Sequence, residues 1–138
     1  MIGWRGRIGL IIPSTNTTIE YEYTKMAPQG ISIHVSRVYN REVSDPKLKE
    51  ASLLKMGKEI NRAAKEVASV KPKVIAFCCT SGSFIKGKGY HQEIIKNIEN
   101  ETGITAITTS TAVLEAFKEL NIKKNRHGYS FLLRTHIR

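Results

Sequence analysis

The sequence is short of cysteine: it has two, and they are adjacent, Cys78 and Cys79. Neighbours in one strand point to opposite faces, so a disulfide between them would be strained, and no third cysteine offers another pairing. That excludes a disulfide scaffold, fits a reducing compartment, and leaves two thiols, either inert or reactive. No apolar run is long enough to span a bilayer, and Met1-Ile2-Gly3-Trp4-Arg5 lacks the apolar stretch of a signal peptide. A soluble, cytoplasmic protein is the expectation. Low-complexity tracts and solenoid-length repeats are also absent. His34, His91, His127 and His136 do not cluster with cysteines or carboxylates at ligand spacing, so no metal is expected. Gly82, Gly87 and Gly89 lack both the lysine–serine and the dinucleotide pattern, which removes the usual phosphate-binding loops.

Acidic residues are few, 12 against 22 basic, for a net charge of +10. Five of the basic residues (Lys123, Lys124, Arg126, Arg134 and Arg138) fall in the last 18 positions, which hold no acidic residue. The first 120 residues keep 17 basic and 12 acidic side chains, a balance of +5, interleaved along helices. That is a solvated surface, and nucleic-acid binding is not expected. What remains is a chain of 138 residues, 41% hydrophobic, sized for one packed core.

Residues 7–12 form a continuous apolar run, as in a buried parallel strand, and Pro13-Ser14-Thr15-Asn16 breaks it. Thr17 and Glu20 have capping-box spacing and predict a helix to about Lys25. Residues 31–38 alternate as in a more exposed strand near an edge. Asp45 is placed to cap a long helix over 46–70, with Pro46 at its first position. A buried strand follows over 73–78, then the small polar loop Cys79 to Ser83. A helix over 89–102 stops at Gly103, a fourth strand covers 104–108, and Ser110 is placed to cap a helix to Leu120. The order βαβαβαβα predicts an α/β fold: a parallel four-stranded sheet of order 2-1-3-4 with helices on both faces. Ligands bind such sheets beyond the carboxyl ends of the strands, at the switch between strands one and three. Both polar loops leave those two strands at that end.

In the first loop, Ser14, Thr15, Asn16, Thr17 and Thr18 offer hydroxyls, an amide and free N–H groups suited to a carboxylate or phosphate. Equally, Thr17 can cap the helix while Ser14 and Asn16 hold a turn. In the second, Cys79 precedes Thr80-Ser81-Gly82-Ser83, whose small residues let N–H groups approach a thiolate or an enolate-like oxyanion. An inert buried cysteine is the competing reading, and Cys78 fits it. Tyr21, Tyr23 and Tyr90 suit a pocket or the packing alike, and Lys86 and Lys88 read as solvated surface.

The run Ile8-Gly9-Leu10-Ile11-Ile12-Pro13-Ser14-Thr15-Asn16-Thr17-Thr18-Ile19-Glu20 is followed by Met26-Ala27-Pro28 and Ser36-Arg37. With Cys79-Thr80-Ser81-Gly82-Ser83-Phe84 and Thr108-Thr109-Ser110, it resembles the maleate cis-trans isomerase and arylmalonate decarboxylase family. That family belongs to the aspartate/glutamate racemase superfamily. The resemblance implies a two-lobed enzyme without cofactor or metal, each lobe presenting a cysteine position after a strand. In the racemases two thiols act on opposite faces of the substrate; in the maleate isomerases the first-lobe cysteine adds to the alkene; the decarboxylases use only the second. Cys79 matches the first-lobe position, which favours the isomerase or racemase branch. Asn16 matches the substrate-binding asparagine, and Ser14, Thr80 and Ser81 fall on the carboxylate-binding loops. The implied function is a cofactor-independent, cysteine-dependent isomerase of a small dicarboxylate, of the maleate-to-fumarate type. A racemase, an arylmalonate-decarboxylase-like enzyme and a non-catalytic acid-binding module are the alternatives.

Residues 1–124 read as the N-terminal lobe and 125–138 as an atypical basic tail. Where the family continues with a strand of the type Ile-Gly-Val-Ala-Thr-Pro and a second lobe, this chain has Asn125-Arg126-His127-Gly128-Tyr129-Ser130-Phe131. Codons for Asn-Arg-His-Gly-Tyr-Ser, read one nucleotide later, can encode Ile-Gly-Met-Ala-Thr-Pro, so out-of-frame translation is one source of the tail. The expectation is a truncated chain of low or no activity, with an exposed apolar face that favours a homodimer or poor solubility. Phe131, Leu132, Leu133 and Ile137 offer an edge strand or a pairing with another copy.

Overall fold

The computed structural model describes residues 2–121, and the expectations placed on residues 125–138 lie outside them. Four parallel strands, β1 (Gly6–Pro13), β2 (Ile31–Val38), β3 (Val74–Phe77) and β4 (Ala106–Thr108), form one sheet of order β2-β1-β3-β4, as the alternation of elements predicts. Six helices connect and flank them: α1 (Ile19–Met26), α2 (Pro46–Lys58), α3 (Ile60–Ala68), α4 (Thr80–Phe84), α5 (Tyr90–Thr102) and α6 (Thr109–Glu119). β1 pairs with β2 from Gly6↔Ile31 to Pro13↔Val38 and with β3 from Ile8↔Val74 to Ile11↔Phe77. Its Leu10, Ile11 and Ile12 are fully buried because strands flank both of its edges and side chains pack on both of its faces.

The sheet separates two cores. Ile11, Val38, Ile75 and Phe77 pack under α2, α3 and α5, whose buried residues include Met56, Ile60, Val67 and Ile94. On the other face Leu10, Ile12, Ala76 and Cys78 pack with Ile19, Tyr23, Ile33 and Val35. Among the described residues no helix is long and apolar enough to cross a membrane.

Local chemistry sets most boundaries. Asp45 caps α2, its Oδ1 accepting from the Leu48 N–H at 2.9 Å, with Pro46 at the first position. The single helix expected over 46–70 is instead two. Glu59 interrupts it with φ −91° and ψ −5°, and its N–H turns back to Met56 O at 3.0 Å. That tightened i→i−3 turn follows Gly57, the weakest helix former nearby. The capping box expected from Thr17 does not form. Asn16 Oδ1 takes the N–H groups of Thr18 and Ile19 at 3.1 and 2.9 Å, an amide reaching farther along the backbone than a hydroxyl. Ser110 does not cap α6 either; the cap lies two residues earlier, where Thr108 Oγ1 accepts from the Thr111 N–H at 3.1 Å.

Candidate functional site

β1 and β3 deliver their loops to the same end of the sheet. The Cys78 N–H still donates to Ile11 O at 2.9 Å, and the register carried two residues on sets Pro13 level with Cys79. Neighbouring strands lie about 4.8 Å apart, so the segment from Ser14 to Asn16 and the turn at Cys79 emerge side by side.

The first loop is fastened by β2 and the segment after it. Its Ser14 N–H donates to Val38 O at 2.7 Å, and Ser14 Oγ accepts from the Asn40 N–H at 3.0 Å. Arg37 Nη1 donates to Ser14 O and Asn16 O at 3.0 and 2.9 Å, while Nη2 pairs with Glu20 at 3.0 Å. Because Asn16 Oδ1 is spent on two backbone N–H groups, the chemistry Asn16 has left to offer is the donor pair on Nδ2. Donors are what a carboxylate needs.

The second loop is a helical turn rather than the open loop expected from its composition. Cys79 is the N-cap of α4 in extended backbone, and its Sγ accepts from the Gly82 N–H at 3.3 Å. The Ser83 N–H donates to Cys79 O at 2.9 Å. Gly82 packs closely: a Cβ there would lie 2.7 Å from the terminal methyl of Met56, which would have to swing aside, and 3.0 Å from Cys79 Sγ. Behind the turn, fully buried Ser83 donates to Thr80 O at 3.0 Å and is hydrogen-bonded to fully buried Ser110 of α6.

The two thiols face opposite sides of the sheet. Cys78 is buried in the smaller core, 3.9 Å from the Tyr23 hydroxyl, and Cys79 is half-buried against the larger one. Burial pushes the Cys78 thiol up to about 11 and the Tyr23 phenol up to about 12. It also raises the Cys79 thiol above its ordinary value, and the Gly82 N–H pulls it back only in part. The donor-rich setting expected to ionise Cys79 is therefore outweighed by desolvation.

Two clefts open beside these loops. One of about 600 Å3 is lined by Ser81, Phe84, Leu53 and Lys49. The other, about 580 Å3, is lined by Thr15, Asn40, Arg41, Lys49 and Leu53. Ser14, Asn16, Cys79, Thr80 and Ser81 lie on the segments at this one end of the sheet; of the five, Ser81 lines the first cleft and the others line neither, while Lys49 and Leu53 form the wall common to both. Reasoning from sequence named Arg37 and Ser83 only as members of motifs and gave no role to either of them or to Lys49. An arginine in an edge strand beside the switch point is the one local signal that would have marked the first.

A family profile described as arylmalonate decarboxylase matches residues 8–126. This chain belongs to the arylmalonate decarboxylase family. Maleate isomerase of Pseudomonas putida is 30% identical over 130 residues, covering 86% of this chain and 50% of that protein. Maleate isomerase of Geobacillus stearothermophilus is 28% identical over 131 residues, with the same two shares, 86% and 50%. A crystal structure of a Pseudomonas putida maleate isomerase variant with maleate superposes with a TM-score of 0.75 at 25% identity, over 84% of this chain and 49% of that one. A cysteine-to-serine mutant of Nocardia farcinica maleate cis-trans isomerase, with a covalently bound succinylcysteine intermediate, gives a TM-score of 0.73 at 25% identity, over 84% and 49%. Family and racemase-like fold agree with the resemblance read from the motifs. The chain spans about half the length of the curated relatives it matches.

Proposed function

We propose that this lobe binds a small dicarboxylate of the maleate class between the Ser14–Asn16 and Cys79–Ser81 segments, with Cys79 as the nucleophile of a cis-trans isomerisation. The observation that carries the reading is the convergence of a donor-only asparagine and a half-buried thiol at the switch point of a fold shared with maleate isomerases. Asn16 Nδ2 and the Thr80 and Ser81 hydroxyls supply donors to the two carboxylates, and Ser14 adds one by giving up its long bond to Asn40 O, 3.4 Å. Cys79 sulfur forms a bond to one alkene carbon, the π pair passes to the other, and the former thiol proton ends there as a C–H bond. The product is a succinyl thioether, the type of adduct held by the Nocardia farcinica mutant. Its central bond is now single and rotates; elimination returns the proton to sulfur and leaves the trans alkene. Nothing is gained or lost overall, so the reaction needs no cofactor.

A binding role without turnover is the second reading, and the raised Cys79 pKa favours it, because burial disfavours the thiolate that would attack an alkene. We expect turnover by the 138-residue chain to be low at neutral pH and to climb as pH approaches the raised thiol value. Alkylation by iodoacetamide, followed by mass spectrometry, tests the shared part of both readings. Cys79 should react faster than Cys78, and maleate should slow Cys79 alone. Equal rates with no protection would sink the dicarboxylate reading. Proton NMR of maleate conversion, compared with the Cys79→Ala variant, then separates catalysis from binding.

A further inference from the structure

The guanidinium of Arg37 is hydrogen-bonded to two carbonyls of the first loop, yet it lies on β2, outside both loops of the proposed site. Nη1 bridges the carbonyls of Ser14 and Asn16 at 3.0 and 2.9 Å, and Nη2 meets Glu20 of α1 at 3.0 Å. Arg37 is itself anchored: its carbonyl accepts from Arg62 Nη2 at 3.1 Å, and Arg62 is held by Glu59 at 2.9 Å. Glu66, the other partner of Arg62, accepts from Ser36 Oγ at 2.6 Å. A chain of fixed groups therefore runs from α3 through β2 to the carbonyls that flank Thr15.

The Arg37–Glu20 pair is well exposed, 39% and 45%, so water screens it and it contributes little to stability. What it supplies is geometry. Two carbonyls held by one nitrogen fix the Ser14–Thr15 and Asn16–Thr17 peptide planes, the second of which leads directly to the Thr18 and Ile19 N–H groups that Asn16 Oδ1 accepts. With the oxygen spent inward, the amide turns its donors outward. A lysine carries the charge but lacks the planar fork that reaches two carbonyls and a carboxylate at once.

We propose that Arg37 is the positioning residue of the acid-binding loop, orienting Asn16 so that it presents its Nδ2 donors, and not its oxygen, to a carboxylate ligand. The proposal rests on the dicarboxylate reading above for its ligand, and its test separates the two. In the 138-residue chain, Arg37→Met should raise the maleate concentration that half-protects Cys79 from iodoacetamide by about tenfold or more, the size of a lost charge-assisted hydrogen bond. The alkylation rate without maleate should not change. Arg37→Lys should lose less than Arg37→Met. In an Asn16→Ala background Arg37→Met should add nothing, because it acts through Asn16. An unchanged half-protecting concentration in Arg37→Met, or a full further loss in the Asn16→Ala background, overturns the proposal. If maleate fails to protect the unsubstituted chain, the dicarboxylate reading has failed and amide exchange decides the positioning role alone. Arg37→Met should then speed exchange at Thr18 and Ile19 by about tenfold or more while Leu10 and Ile11 are unaffected. Undiminished protection at Thr18 and Ile19 overturns it.

Discussion

The buried Ser83–Ser110 pair makes a prediction whose sign follows from counting protons. A hydroxyl has one proton to give. Ser83 spends its own on Thr80 O, so the bond between the two serines is donated by Ser110. Both residues are 0% exposed, and no water can replace a lost partner. Ser110→Ala removes one hydrogen bond and leaves Ser83 still donating, a loss of about 1 kcal/mol. Ser83→Ala removes two bonds and strands the Ser110 hydroxyl as a buried donor, a loss of about 2–4 kcal/mol. The double variant has no stranded donor and should be more stable than Ser83→Ala alone by about 1 kcal/mol or more. Urea unfolding followed by circular dichroism, with a common m-value, measures all three. If the two single changes lose equal stability, or the double variant is the least stable of the set, the assigned proton direction is wrong.

Two further expectations concern the thiols. Cys78 has its folded pKa raised to about 11, so its neutral form stabilises the fold fully below the unfolded thiol value near 9 and the contribution is lost as pH rises to about 11. Linkage puts that loss at about 2–3 kcal/mol, and Cys78→Ala should flatten the fall in melting temperature over this window; an identical fall in the variant would refute the assignment. Gly82→Ala should displace the Cys79 turn, because the added Cβ lies 3.0 Å from Sγ and 2.7 Å from the Met56 methyl. Cys79 alkylation should change rate while Cys78 does not, and unaltered kinetics at both would show that the turn absorbs the methyl without moving.

Where the sequence was a good guide, one local rule had no competitor. The Asp45-Pro46 start of α2 is such a case, and so are the four apolar runs separated by helical periods, which point to a parallel sheet, here of the expected order 2-1-3-4. Where two side chains compete for the same backbone donors, the sequence does not choose. Thr17 and Asn16 both suit the start of α1, as Ser110 and Thr108 both suit α6, and the outcome depends on what else each side chain touches. Asn16 is held in place by Arg37, and Ser110 is drawn inward by Ser83. The ionisation of Cys79 was hidden for a similar reason. Loop composition reveals the N–H donors, but the desolvation that outweighs them comes from distant residues of the larger core packed around it.

The strand order also bears on the route by which the chain folds. The β1–β2 partners Ile8 and Ile33 are 25 positions apart, and the β1–β3 partners Ile8 and Val74 are 66 apart. Closing the longer loop costs about 0.9 kcal/mol more in chain entropy, so the β1–α1–β2 crossover unit is the cheaper nucleus. Arg37 sits on that unit, within reach of the carbonyls it holds. During synthesis the Ser14–Asn16 loop can therefore be fastened by Arg37 while Cys79 is still unplaced, and docking of β3 is the event that sets the Cys79 sulfur beside a loop already in place.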